Sequence, residues 1–121
     1  MKHTLHYDDQ HQLVVQTIIG LFTTDEAKQM GKSYIDLVKG KPFRQIIVDL
    51  RVAGKMENRE TRSIANDMLN AAQFSDVAFV GATAAQRMIA KVLMKLGSLK
   101  ADSNFVKDME EAYNWLEKRR K

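Results

Sequence analysis

The sequence predicts an α/β domain: a mixed, mostly parallel five-stranded sheet that opens with an antiparallel hairpin and carries four helices, in the order ββαβαβαβα. Three observations predict it. Short runs rich in β-branched and aromatic residues alternate with longer stretches whose apolar positions recur every three or four residues. Three of the longer stretches open on a helix-capping pair, Thr23 with Glu26, Thr83 with Gln86 and Asp108 with Glu111. Strands joined by helices of ten or more residues need right-handed crossovers and so lie parallel, whereas the first two strands are close enough for a hairpin.

Residues 3–7 and 11–19 are the hairpin strands, separated by Asp8, Asp9 and Gln10, and the second closes on Gly20. After the Thr23 cap, Ala27, Met30, Gly31, Tyr34 and Val38 share one helical face, and Gly40 with Pro42 stops that helix. The third strand, residues 44–50 (RQIIVDL), is almost continuously apolar, as a strand buried on both faces must be. A loop over residues 51–57 leads into a helix over 57–73, with Thr61, Ile64, Ala65, Met68, Leu69 and Ala72 inward. VAFV at 77–80 is the fourth strand. Beyond Gly81 the next helix turns Ala85, Met88, Ile89, Val92, Leu93 and Leu96 inward and ends at Gly97. Asn104 to Lys107 is the fifth strand, and a last helix carries Met109, Ala112, Tyr113 and Leu116. No linker, repeat or low-complexity tract interrupts this order, so residues 1–121 are read as one domain.

A chain of 121 residues with 45% hydrophobic and 28% charged residues is long enough for a core without staples and reads as an ordinary soluble globule. The absence of cysteine removes disulfides, thiolate metal sites and cysteine nucleophiles together. The start, MKHTLHYDDQ, lacks the apolar centre of a signal peptide, and no apolar run approaches the roughly 18 residues of a spanning helix, so the cytoplasm is the default location. The net charge is +4, with six basic residues in the last 22, ending in Lys118, Arg119, Arg120 and Lys121. Such a tail is read as a solvated terminus that complements a helix dipole. No aromatic-interleaved RNA motif or zinc spacing accompanies it, so nucleic acid is not among the expected partners.

Catalytic readings start with Asp49 at the end of a central strand, a place where a carboxylate can act as base or metal ligand, but no partner for it is visible. His3, His6 and His11 all lie in the hairpin, with His3 and His6 on opposite faces of one strand, and are read as solvated. Neither G-x-S-x-G nor S-x-x-K occurs. GATAAQR, from Gly81, places a capped helix after a glycine but lacks the other glycines and the lysine of a phosphate loop. No catalytic residue, metal or cofactor is therefore assigned, and the chain is read as binding without chemistry. Arg87, Lys91 and Lys95 recur every four residues beside a broad apolar face, leaving Met94 off the stripe. That edge is solvated, or it touches an anionic membrane surface peripherally.

The pattern IIVDLRVAGKMENRETRSIANDML resembles the segment of STAS domains (sulfate transporter and anti-anti-sigma factor antagonist) in which an apolar strand ending in Asp-Leu leads into the signalling helix. AFVGATAAQRMIAKVLMKLG and FVKDMEEAYNWLEKRRK are similar to the SpoIIAA-like branch, which is grouped with STAS and with CRAL-TRIO lipid-binding domains. The resemblance covers almost the whole chain and implies a SpoIIAA-like (STAS) α/β fold that works by binding. In anti-anti-sigma factors a serine at the helix start is phosphorylated by a partner kinase. Here Met56, Glu57, Asn58 and Arg59 occupy that stretch, and the hydroxyls of Thr61 and Ser63 come later.

Two functions of different class follow. The first is capture of a small apolar or amphipathic ligand in a groove between residues 51–57 and 81–85, at the carboxyl ends of the central strands. Arg51, Lys55, Arg59 and Arg87 would meet a carboxylate or phosphate head, the flexible Met56 the apolar body, Gly81 and Thr83 would form the facing rim, and Gly54 would let the loop close. The second is a regulatory protein-interaction module that uses the same helix without the serine. A second copy of the chain stays open as a further partner.

Overall fold

In a computed structural model that describes residues 1–95 and 99–120, with the side chains of 89, 90 and 92–95 not among those described, the elements follow the predicted order. They are β1 (Thr4–Asp8), β2 (Leu13–Phe22), α1 (Thr24–Val38), β3 (Gln45–Met56), α2 (Arg59–Ala71), β4 (Asp76–Val80), α3 (Ala84–Lys95), β5 (Asp102–Val106) and α4 (Met109–Lys118). The sheet runs β1-β2-β3-β4-β5, with β1 antiparallel to β2 and every other neighbouring pair parallel. This is the mixed sheet expected from the sequence.

Alternation along the strands divides the core in two. Val14, Ile18, Ile46, Val48 and Val77 face α1 and α2, while Leu13, Val15, Ile47, Ala78 and Val80 face α4 through Ala112 and Leu116. A strand covered on both sides has no solvent-facing side, which explains the almost continuous apolar run of β3 from Ile46 to Leu50, interrupted by Asp49. The caps form as expected: Thr23 and Glu26 bond reciprocally, Thr83 and Gln86 do the same, and Asp108 accepts from the Glu111 amide.

The stretch expected as a loop over 51–57 is strand as far as Met56. Its cause lies in β2, which also runs on, past Gly20 to Phe22, so that Ile19 pairs with Val52, Gly20 with Ala53 and Phe22 with Met56 after two register shifts. Gly54 is there for close approach and not for loop freedom: a Cβ on it would lie 2.9 Å from the carbonyl carbon of Gly20.

Three other expectations change. His3 is buried, accepting from the Ile19 amide at Nδ1 (2.9 Å) and bonding Glu26 through Nε2 (3.0 Å), so it latches the amino terminus to β2 and α1. Arg119 and Arg120 are not a solvated tail. Arg119 donates to Asp76 (2.5 Å) and to Asp102, while Arg120 donates to Gln45 (2.8 Å) and the His11 carbonyl (2.5 Å) and lies over the Phe43 ring. In α3, Ala85 and Met88 are exposed, Met88 at 68%, because the described start of this helix borders a cavity instead of packing on the sheet. The inward positions Ile89, Val92 and Leu93, the off-stripe Met94, Leu96 with the stop at Gly97, and Lys121 lie outside the described residues or side chains.

Candidate functional site

The cavity occupies about 590 Å3 between the α1–α2 face of the sheet and the first turn of α3. Its floor comes from alternate residues of the strands: Gln16 and Ile18 on β2, Val48 and Leu50 on β3, Phe79 on β4 and Phe105 on β5, the last two stacked with centroids 5.1 Å apart. One wall is α2, which contributes Arg62, Ala65, Asn66 and Leu69, spaced i, i+3, i+4 and i+7 and therefore on one helical face. The other wall is Thr83, Ala85 and Gln86, and the rim is Ala53 to Met56.

Polar groups on the floor are satisfied within the protein. The buried Tyr34 hydroxyl donates to Gln16 Oε1 (2.6 Å), and Gln16 Nε2 donates to the sulfur of Met30 (3.3 Å). Burial pushes the Tyr34 phenol far above its ordinary value, so it stays neutral. The wall is different. The Arg62 Nε–H is buried with no hydrogen-bond partner, and among the described residues the lining contains Lys55 and Arg62 but no aspartate, glutamate or histidine.

Of the residues singled out in the sequence, Lys55, Met56 and Thr83 line the cavity, while Arg51, Arg59, Gly81 and Arg87 are not in its lining. Arg59 and Arg87 are exposed on the first turns of α2 and α3. Arg51 lies on the α4 side of the sheet, where it clamps Asp49 with Nε at 3.0 Å and Nη2 at 2.8 Å. Gly81 sits beneath it: its φ is +72°, and a Cβ there would come within 2.5 Å of Arg51 Cγ. That glycine serves the turn and the arginine's path. Missing from the sequence reading are Arg62, Asn66 and Gln16. Their signal was present: Arg62 and Asn66 share the face of Ala65 and Leu69, and Gln16 interrupts the inward set Val14, Ile18.

Asp49, the enzymatic candidate, has both oxygens occupied by Arg51 on the face away from the cavity. Burial alone would push its carboxyl up, but the guanidinium and the Arg51 amide outweigh burial and hold it below the usual carboxylate range. A depressed pKa contributes stability that is complete above the unfolded value, about pH 4, and is lost as pH falls through the folded value. Asp49→Asn should therefore melt below the wild type at pH 6, and the gap should shrink by pH 3. A gap that stays constant or widens on acidification would refute this account.

The helix start that carries the switch in the resembling family is closed off here. Asn58 caps α2 by accepting from the Thr61 amide (3.0 Å), and the fully buried Thr61 hydroxyl contacts Thr24 Oγ1 (2.8 Å) and Asn58 (3.2 Å). Of the two hydroxyls near it, Ser63 alone is exposed. Beyond the cap, Glu60, Ser63 and Asp67 form an exposed stripe along α2.

This chain belongs to the family described as "Domain of unknown function (DUF7793)", which it matches over residues 13–120. No curated protein matches it. Among solved structures it is similar to the anti-sigma factor antagonist SpoIIAA in its unphosphorylated form, at 11% identity and a TM-score of 0.68, over 98% of this chain and 99% of that one. It is similar to an uncharacterized DUF3478-family protein with a SpoIIAA-like fold from Shewanella loihica PV-4, at 15% identity and a TM-score of 0.69, over 94% and 91% of the two chains. The phosphorylated Bacillus cell-fate determinant SpoIIAA is similar as well, at 14% identity and a TM-score of 0.62, over 94% and 98%. The fold is thus the SpoIIAA-like one named by the resemblance. Among the described residues no helix is long and apolar enough to cross a membrane.

Proposed function

We propose that this chain is a non-enzymatic regulatory module that binds a protein partner through α2, as an anti-sigma factor antagonist does, but without a phosphorylated serine at the helix start. The observation that carries the reading is the α2 edge: a helix start held rigid by Asn58, Thr61 and Thr24, followed by the exposed stripe Glu60, Ser63 and Asp67. The full-length likeness to an antagonist supports it. A phosphate gains most where it meets free helix amides, and here the Asn58 side chain already occupies the Thr61 amide. Replacing Ser63 and Asp67 together by arginine should leave melting almost unchanged, since both are exposed. It should remove any protein that co-purifies stoichiometrically from the native host, as native mass spectrometry reports. Retention of that partner by the double variant would overturn the assignment to α2.

A second reading has its own support, the apolar cavity. At about 590 Å3 it falls among the sizes of small-molecule sites, roughly 300–1,000 Å3. On this reading the chain captures a small amphipathic ligand, with or without a protein partner on α2, and the same native spectrum would show the bound mass.

A further inference from the structure

We infer that the cavity takes an amphiphilic anion, one apolar body ending in a single carboxylate or phosphate head, and that Arg62 on the wall receives the head, with Lys55 as a second cation at the rim. The inference rests on the small-ligand reading and specifies its chemistry.

Charge selects the class of ligand. Arg62 and Lys55 are the charged residues of the lining among the described residues, both cationic, and neither forms a hydrogen bond or ion pair there. The fate of other arginines makes the contrast plain: Arg51 is clamped on Asp49, Arg119 on Asp76 and Asp102, Arg120 on Gln45, and Arg44 on the Ala72 carbonyl. An arginine whose Nε–H is buried without an acceptor is costly until an acceptor arrives, and a carboxylate or phosphate oxygen supplies one in the geometry a guanidinium prefers. A cationic ligand would meet two like charges. A sugar would need several uncommitted polar partners, yet Gln16, Thr83 and Gln86 already bond within the protein, which leaves Asn66 as the uncommitted amide side chain of the described lining. The floor of Ile18, Val48, Leu50, Phe79 and Phe105 requires the remainder of the ligand to be apolar.

Isothermal titration of the full chain with dodecanoate, dodecanol and inorganic phosphate, each amphiphile below its micellar concentration, tests this. Dodecanoate should bind roughly tenfold or more tighter than dodecanol, the scale of one hydrogen bond to a charged group. Phosphate alone, lacking the apolar body, should bind far more weakly than dodecanoate. In Arg62→Gln the preference for dodecanoate should fall toward one while dodecanol affinity is kept. Lys55→Gln, at an exposed position, should narrow the same preference and serves if Arg62→Gln does not fold. Equal binding of dodecanoate and dodecanol by the wild type would overturn the head-group assignment and leave the small-ligand reading standing. Binding of neither would remove both, and phosphate bound as tightly as dodecanoate would exclude any part for the apolar body.

Discussion

Gly31→Val is expected to lower stability by roughly 3 kcal/mol, or on the order of 10 °C in melting temperature for a chain of this length. Gly31 is buried in the middle of α1, where α2 crosses it. A Cβ at this position would stand 2.3 Å from Met68 Cγ, 2.5 Å from its sulfur and 2.6 Å from its Cβ. The tip of a methionine can swing away, but its Cβ moves only with the helix that carries it. The two helices must therefore part, and α2 bears Arg62, Ala65 and Leu69 of the cavity wall. Helix propensity works in the opposite direction, since glycine inside a helix costs about 1 kcal/mol relative to alanine. Packing exceeds propensity because valine brings three carbons into occupied space. Met68→Ala in the Gly31→Val background should recover only the part of the loss owed to Met68 Cγ and sulfur, since alanine keeps the Cβ, whereas a propensity effect alone would allow no recovery. Unfolding of Gly31→Val within 2 °C of the wild type would show that the helices are less closely packed than these distances state.

Features encoded within a few residues were legible in the sequence. The Thr23–Glu26 and Thr83–Gln86 caps, the face of α1 and the continuous core strand Ile46–Val48 each depend on spacing inside one element, so the order of elements and the parallel sheet followed from them. What was missed depends on partners far along the chain. The extension of β3 through Val52 to Met56 (VAGKM) carries a glycine and a lysine that read as loop, and only the parallel run of Ile19 to Phe22 in β2 makes it strand. His3 looks solvated in a sequence whose relevant partners, the Ile19 amide and Glu26, stand 16 and 23 residues away. Arg119 and Arg120 look like a tail because Asp76 and Gln45 are 43 and 75 residues distant. In the candidate site, Lys55, Met56 and Thr83 were found because the carboxyl ends of parallel strands are a general place for ligands. Arg62 was passed over because an arginine beside an apolar stripe is usually solvated, and only the enclosed space between the α2 wall and the sheet distinguishes it.

Ala65→Phe is expected to abolish capture of apolar probes, at least a hundredfold in Kd, while leaving the chain as stable as before or more so. Ala65 lies on α2 between Arg62 and Leu69 and faces the cavity, where a phenyl ring would take up space now open above Phe79 and Phe105. Filling open apolar space adds buried area without displacing a neighbour, and such substitutions commonly contribute about 0.5–2 kcal/mol, here roughly 4 °C for each kcal/mol. A ligand, by contrast, competes for the same volume as the ring. The opposite signs matter, because a variant that merely damages the fold would lose binding and melting temperature together. Ala65→Phe also separates the two functional readings. Glu60, Ser63 and Asp67 lie on the exposed edge of α2, so a partner docked there should be retained by a chain whose cavity is filled. Loss of probe binding with the partner retained would make cavity and edge independent sites, and loss of both would couple the ligand to the partner. If Ala65→Phe binds dodecanoate as the wild type does, the probe is adsorbed elsewhere and the cavity has no part in its capture.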